Sequence, residues 1–190
     1  GVTARGGAIA NIGNGYSELS ILTEDRNIIF SGNYVKGDTA QGGAIYNSAA
    51  GIVNLLAKAD YGIIFVGHSD VSGAQDVDGI YNAGVLNING DGSYEEEYMG
   101  TVNLYNVNGE TGTTNIYGGT VIANGNITQK DINIIYPASL TNNSVINANK
   151  VYNEGTLTNN GSIEAKNIVS YEQLNNAGNI KAETLYNSNG

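Results

Sequence analysis

Several residue types are absent or scarce in this 190-residue chain, which has no cysteine, no tryptophan and a single proline. Without cysteine it forms neither disulfides nor thiolate metal sites, and it is compatible with any redox compartment. No apolar run approaches the roughly 18–20 residues of a membrane-spanning helix, so we predict no transmembrane segment. No signal peptide is visible, and since the chain begins inside a repeat, we interpret it as a mature or excised fragment.

Positive charge is scarce too, with 8 Lys and Arg against 18 Asp and Glu and a net charge of −10. Nucleic-acid binding needs a surplus of cations to contact the phosphates, so we predict no nucleic-acid partner. Arg5 and Arg26 are the two residues able to hold an anion through a bidentate guanidinium, which argues against phosphate or carboxylate substrates.

The C-terminal third of the chain is an internal repeat with a constant period. The segments LTNNSVINANKV (140–151), LTNNGSIEAKNI (157–168) and LNNAGNIKAETL (174–185) align without a gap, so each position recurs at an interval of 17 in residue number. Their aliphatic residues are spaced 5 or 6 apart, which fits neither a helix nor a simple hairpin array. We predict an all-β, single-stranded parallel β-helix with three short strands per coil of roughly 17–20 residues. The aliphatic columns are Leu140, Leu157 and Leu174; Ile146, Ile163 and Ile180; and Val151, Ile168 and Leu185.

Polar and small residues follow these aliphatic columns two positions later and therefore share their strand face. Asparagines stacked at coil corners can form hydrogen-bonded ladders, which would explain the 27 Gly and 29 Asn as a structural bias. The predicted polar columns are Asn142, Asn159 and Asn176, and Asn153, Ser170 and Asn187; the small column is Ala148, Ala165 and Ala182.

The N-terminal half repeats at about twice this period, since the intervals from Ile9 to Ile45 and from Ile45 to Ile80 are 36 and 35 in residue number. Two coils of roughly 17–18 residues would give that spacing, so we predict one solenoid of roughly ten or eleven coils. Within this single domain we expect double-coil repeats over 1–90, irregular coils with loops over 91–139 and regular coils over 140–190. Protrusions are predicted at 68–79, 90–100 and 107–114.

The N-terminal repeats resemble a known family. GGAI at 6–9 and 42–45 is paired with FSGN at 30–33 and FVGH at 65–68, and a third copy keeps Gly79 and Ile80. This pairing resembles the GGA[ILV]/FxxN repeats of the polymorphic outer-membrane proteins, a group of bacterial autotransporters, over the segment from Gly1 to about Val85. The resemblance implies a right-handed β-helical passenger at the bacterial cell surface that is used for adhesion. Strand spacing alone leaves the handedness open.

Catalytic and metal-binding residues are not evident in the sequence. His68, the sole histidine, aligns with Asn33 in the repeat and is interpreted as a polar corner residue. The acidic segment DGSYEEEY (91–98) lacks the alternating ligands of a calcium loop, so we interpret it, like Asp70, Asp76 and Asp78, as solvated acidic loop. We predict no enzymatic activity, no catalytic residue, no metal and no cofactor; a polysaccharide-active β-helix enzyme is the least favoured alternative.

Tyrosine is the residue type most suited to a binding role. Six tyrosines directly follow an aliphatic column residue, so they are predicted to point outward, where aromatic rings stack on sugars or anchor a protein partner. Covering strand edges or satisfying β-propensity is the alternative explanation for them. The six are Tyr46, Tyr81, Tyr105, Tyr117, Tyr152 and Tyr186.

Two functional hypotheses follow. The first is a non-catalytic adhesin passenger or stalk, bacterial and extracellular, that binds a host or bacterial surface glycan or protein through its outer face or loops. The second is a structural subunit that stacks end to end on copies of itself into an extracellular fibre. Neither end offers a helix, a proline or a charged cap for the exposed strand edge, which favours taking the second hypothesis seriously.

Overall fold

A computed structural model describes residues 3–67, 76–92 and 95–189, and this part of the chain is all-β, with no helix. Ile and Asn are the commonest residues of the strands, followed by Thr, Val and Leu, and the branched side chains among them pack well on a pleated surface. The strands of the first half are β1 (Thr3–Arg5), β2 (Ile9–Asn11), β3 (Ser17–Leu22), β4 (Ile28–Phe30), β5 (Tyr34–Val35), β6 (Thr39–Gln41), β7 (Ile45–Asn47), β8 (Gly51–Leu56), β9 (Gly62–Phe65), β10 (Asp76–Val77), β11 (Ile80–Asn82) and β12 (Val85–Ile88). Those of the second half are β13 (Thr101–Leu104), β14 (Val107–Asn108), β15 (Thr113–Ile116), β16 (Thr120–Ala123), β17 (Ile127–Ile134), β18 (Ser139–Asn142), β19 (Val145–Asn153), β20 (Thr156–Asn159), β21 (Ser162–Ser170), β22 (Gln173–Asn176) and β23 (Asn179–Asn187).

Nearly all strand pairs are parallel, and the chain returns repeatedly to the same sheets in a solenoid-like arrangement. One sheet of twelve strands has two branches, β2-β7-β11-β14 and β3-β8-β12-β15, which join at β17 and continue through β19, β21 and β23. A second sheet has the order β4-β9-β13-β16-β18-β20-β22. The pair β1-β6 is also parallel, and β5-β10 is the one antiparallel pair among the described residues.

The strand register confirms the three aliphatic columns of the C-terminal repeat. Each member pairs directly with its equivalent in the next coil, as Leu140 does with Leu157, Ile146 with Ile163 and Val151 with Ile168. These six side chains are buried, and they belong to one continuous core of buried aliphatic residues. The parallel strands and the column register are therefore as the period of the repeat predicts.

The prediction of three separate strands per coil is wrong for the C-terminal coils, where two columns lie on one long strand. Ile163 and Ile168 both belong to β21 although they are five positions apart, which regular alternation would place on opposite faces. Two successive exposed residues, Lys166 and Asn167, interrupt the alternation. The strand changes phase at this point and returns Ile168 to the core.

The prediction of two coils for each N-terminal repeat is also wrong. Ile45 pairs directly with Ile9 on one side and with Ile80 on the other. Each interval is therefore a single circuit, by which we mean one full turn of the chain from a strand to its register partner. The extra residues lie on excursions such as β5 and β6, and long surface insertions cost little additional loop entropy. The circuits shorten along the chain, from 36 residues in the first to 17 residues in the last two. The predicted boundaries between the three sections of the chain, at residues 90 and 139, stay a prediction. Seven circuits connect the column Ile9, Ile45, Ile80, Val107, Ile127, Ile146, Ile163 and Ile180.

Asparagine ladders run along the solenoid as predicted and extend further than expected. The Asn142 amide donates to Asn159 and Asn159 donates to Asn176, each at 2.7 Å, and Asn153 donates to Ser170 at 2.9 Å. Two further ladders occur in the N-terminal and middle circuits, where the repeat is irregular: Asn11, Asn47, Asn82 and Gln129; and Asn54, Asn87, Asn115 and Asn133. Many of the asparagines therefore have a structural role, because their side chains hydrogen-bond successive circuits to one another.

Candidate functional site

The six predicted tyrosines do not form one outward ridge, because they fall on several different columns. Tyr46 and Tyr81 are register partners in β7 and β11, with ring centroids 5.4 Å apart and planes 3° apart. Tyr46 is only 7% exposed, since Tyr81 covers one side and the Arg5 guanidinium lies 4.9 Å from its ring centroid. The prediction of an accessible ring is therefore wrong for Tyr46, whereas Tyr81 is half-exposed.

Tyr105 and Tyr117 are also half-buried, each at a separate place on the wall. Tyr105 packs against the hydrophobic core and lies over Gly67, where an added Cβ would be 2.2 Å from its ring. Burial raises the pKa of Tyr117, and the Asp91 carboxylate adds to the rise. Both rings therefore cover the strand wall, and neither is as exposed as the rings of Tyr171 and Tyr186.

Tyr152 and Tyr186 belong to an exposed aromatic group with Tyr171, which we call the tyrosine cluster. Tyr152 and Tyr186 lie two strands apart with Val169 between them in the register, and Tyr171 follows β21 at the adjoining turn. Its ring centroid is 5.8 Å from that of Tyr152 and 5.6 Å from that of Tyr186. Tyr171 is 46% exposed and Tyr186 54%, so the cluster presents two accessible rings side by side.

Tyr171 is not among the six predicted tyrosines, because each of those directly follows an aliphatic residue. Tyr171 follows Ser170, which occupies a polar corner column. Because Tyr171 comes directly after this corner residue, it lies in the turn beside the strand face that carries Tyr152 and Tyr186. The register of the repeat contained this information, since Tyr171 aligns with Glu154, the hydrogen-bond partner of Tyr152.

Charged groups border the tyrosine cluster on one side. The Lys150 Nζ lies 4.7 Å from the centroid of the Tyr152 ring, within the range of a cation–π contact. The Tyr152 hydroxyl donates a hydrogen bond to the Glu154 carboxylate, and this bond raises the pKa of Tyr152 to about 12. The hydroxyl of Tyr152 is thus occupied within the protein, and the freely accessible rings are those of Tyr171 and Tyr186.

We expect Glu154→Gln to lower the pKa of the Tyr152 phenol toward the ordinary tyrosine value near 10. The carboxylate favours the protonated phenol both by accepting its hydrogen bond and by repelling the phenolate, and a neutral amide does neither as well. Two-dimensional NMR of ring-labelled tyrosine during an alkaline titration measures this pKa directly. An unchanged Tyr152 titration in the variant would contradict the assignment, and Glu172→Gln, next to Tyr171, serves as the control.

The acidic residues do not form a metal site in the part of the chain that the structure describes, where no group of three or more His, Cys, Asp or Glu is suitably placed. Glu97 instead pairs with Lys58 at 3.0 Å, and Lys58 also contacts Glu24 at 2.8 Å. The Glu24 and Glu97 hydrogen bonds raise the pKa of Lys58. Burial, followed by the charge of Asp91, raises the pKa of Glu95.

The prediction that Asp78 is a solvated loop residue is wrong, because its side chain is fully buried. The carboxylate accepts hydrogen bonds from the Gly32 amide at 2.9 Å, the Asn33 amide at 2.7 Å and the Asn33 Nδ2 at 3.0 Å. The F-x-x-N segment thereby holds the end of the following circuit, which gives this motif a structural role. His68, Asp70 and the side chain of Asp76 lie outside the described residues.

Among the described residues, no helix is long and apolar enough to cross a membrane. Comparison of the chain with protein-family models, with curated proteins and with solved structures yields no match. The resemblance to the polymorphic outer-membrane proteins therefore rests on the GGAI and F-x-x-N motifs and stays a prediction.

Proposed function

We propose that the protein is a right-handed, single-stranded parallel β-helix that serves as a non-catalytic adhesin on the bacterial cell surface or outside the cell. In this proposal the solenoid is a rigid stalk and the tyrosine cluster is its binding site. Parallel strands joined by crossovers are right-handed in nearly all known cases, which supports the handedness. The motif resemblance supports the cellular location.

The exposed tyrosine cluster is the observation that carries this proposal. Two accessible rings, 5.6 Å apart at their centroids, project from parallel strands and their adjoining turn. Most large hydrophobic side chains of the described wall are buried in one core, whereas Tyr171 and Tyr186 are exposed and lie against each other. Aromatic rings combine apolar area with a hydroxyl and are enriched at binding hot spots, which suits a surface glycan or protein as partner.

We expect the double variant Tyr171→Ser/Tyr186→Ser to reduce attachment to target cells by about tenfold, since it removes both accessible rings of the cluster. Beads coated with the protein are incubated with epithelial cells and with bacterial cells, and bound beads are counted. Tyr16→Ser is the matched control, because Tyr16 is 74% exposed but lies far from the cluster along the chain. Attachment that is equal for all three proteins would refute the tyrosine cluster as the binding site.

The alternative of an end-to-end fibre stays a prediction. Sedimentation of the native chain at high concentration tests it, and a strict monomer would contradict it.

A further inference from the structure

A second surface feature lies on the outer face of the sheet that runs through β11, β14, β17, β19, β21 and β23. It consists of three adjoining depressions with volumes of about 430, 430 and 340 Å³. The first two share Glu110 and Thr128, and the second and third share Glu164 and Lys166. We call this continuous feature the axial groove, and its ends are at Tyr81 and Glu183.

The strand register aligns the side chains of the groove in rows along the solenoid. One row is the register-paired series Thr128, Asn147, Glu164 and Lys181. The other side of the groove is lined by side chains two positions further along each strand, where the register skips one position: Lys130, Asn149, Lys166 and Glu183. Five strand spacings separate β11 from β23, so the groove is about 24 Å long. That length suits a linear ligand of several units.

The charges of the groove balance, in contrast to the net charge of −10 on the whole chain. Its three acids are Glu110, Glu164 and Glu183, and its three bases are Lys130, Lys166 and Lys181. Some of these charges are already paired, since the Lys181 Nζ contacts the Glu164 carboxylate and the Lys130 Nζ lies 3.8 Å from Asp131. A polyanion or a polycation would therefore gain little from this surface.

The same side chains match a ligand rich in hydroxyl groups. Ammonium groups donate, carboxylates accept, and the amides of Asn147 and Asn149 do both, while each sugar hydroxyl can also do both. An extended peptide is less suitable, because it typically adds to an open sheet edge through main-chain hydrogen bonds. Here the face belongs to strands β17, β19 and β21, whose main chains are already paired with neighbours on both sides.

We propose that the axial groove binds an unbranched, neutral oligosaccharide. A pyranose unit of an extended β-1,4-linked chain advances by a distance close to one strand spacing, so successive sugars would meet equivalent positions of the two rows. Tyr81 closes one end of the groove with a ring already held parallel to that of Tyr46, and it provides an aromatic contact for a terminal sugar. This site does not depend on the tyrosine cluster.

Isothermal titration with cellohexaose and with chitohexaose tests the proposal. We expect at least one hexasaccharide to bind, with little change between low and high salt because the ligand is uncharged. The variant Glu164→Ala/Lys166→Ala should weaken binding by about tenfold or more, since it removes an acceptor and a donor from the centre of the groove. Asp25→Ala/Arg26→Ala, which removes an exposed ion pair elsewhere, should leave the affinity within about twofold of the parent.

The groove proposal is overturned if neither hexasaccharide binds, if the central variant binds as well as the parent, or if an oligogalacturonate alone binds. Circular dichroism verifies that each variant keeps its β-structure. Tyr171→Ser/Tyr186→Ser should retain hexasaccharide binding; loss in that variant would place the sugar on the tyrosine cluster and contradict the groove. Cell attachment and hexasaccharide binding thus separate the two sites.

Discussion

Replacing Asn82 by leucine is expected to lower the free energy of unfolding by about 3–5 kcal/mol, because it breaks a buried ladder without creating a cavity. The Asn82 side chain is fully buried. Its Nδ2 donates to the Gln129 Oε1 at 2.7 Å and to the Thr113 carbonyl at 3.1 Å, and its Oδ1 accepts from the Asn47 Nδ2 at 2.7 Å. Leucine has the same branching and the same number of side-chain heavy atoms, but it is bulkier and satisfies none of these three groups.

The same substitution at an exposed rung provides the matched control. Asn160 donates to Asn143 at 2.9 Å in a ladder that is open to solvent, so water can replace the lost partner. Asn160→Leu is therefore expected to change stability by less than about 0.5 kcal/mol. Urea unfolding followed by circular dichroism measures both variants. Equal losses at the two sites would show that the ladders act through backbone conformation and not through buried hydrogen bonds.

The columns of the C-terminal coils could be predicted because every circuit there has the same length. When the period is constant, residues that align in the sequence repeat are also neighbours in space. Ile146 and Ile163, for example, align in the repeat and pair in the sheet. In the first circuits this equivalence is absent. The segment between Ile9 and Ile45 could hold one circuit with excursions or two without, and the sequence does not distinguish them, whereas strand pairs such as β2 with β7 do.

The candidate site was less predictable than the wall, because exposure depends on residues that are distant in sequence. Local alternation predicts an outward side for Tyr46, but the side chain of Arg5, which lies far earlier in the chain, covers its ring. Tyr171 shows the reverse case, since a turn residue without a strand pattern becomes the centre of the aromatic group. The axial groove likewise needs β11 to β23 side by side before Glu110 and Glu164 line one depression.

The glycines of the GGAI motif are expected to be structural, and Gly42→Ala tests this with an expected loss of about 3–5 kcal/mol. Gly42 has φ +71°, a left-handed conformation that costs a residue with a Cβ about 1–2 kcal/mol. The added Cβ would also lie 2.1 Å from the carbonyl oxygen of Ile45, so the backbone must move. Since Ile45 pairs with both Ile9 and Ile80, this shift would disturb the three neighbouring strands β2, β7 and β11 at once.

Gly15→Ala separates this effect from the loss of a glycine as such. An added Cβ at Gly15 meets no atom within 4 Å, so alanine should be neutral or should stabilise by up to about 1 kcal/mol through the unfolded chain. Thermal and urea unfolding compare the two variants. If Gly42→Ala costs less than about 1 kcal/mol, the corner tolerates a side chain and folding does not explain the repeated glycines. If the large difference is found, the GGAI motif defines how successive circuits stack.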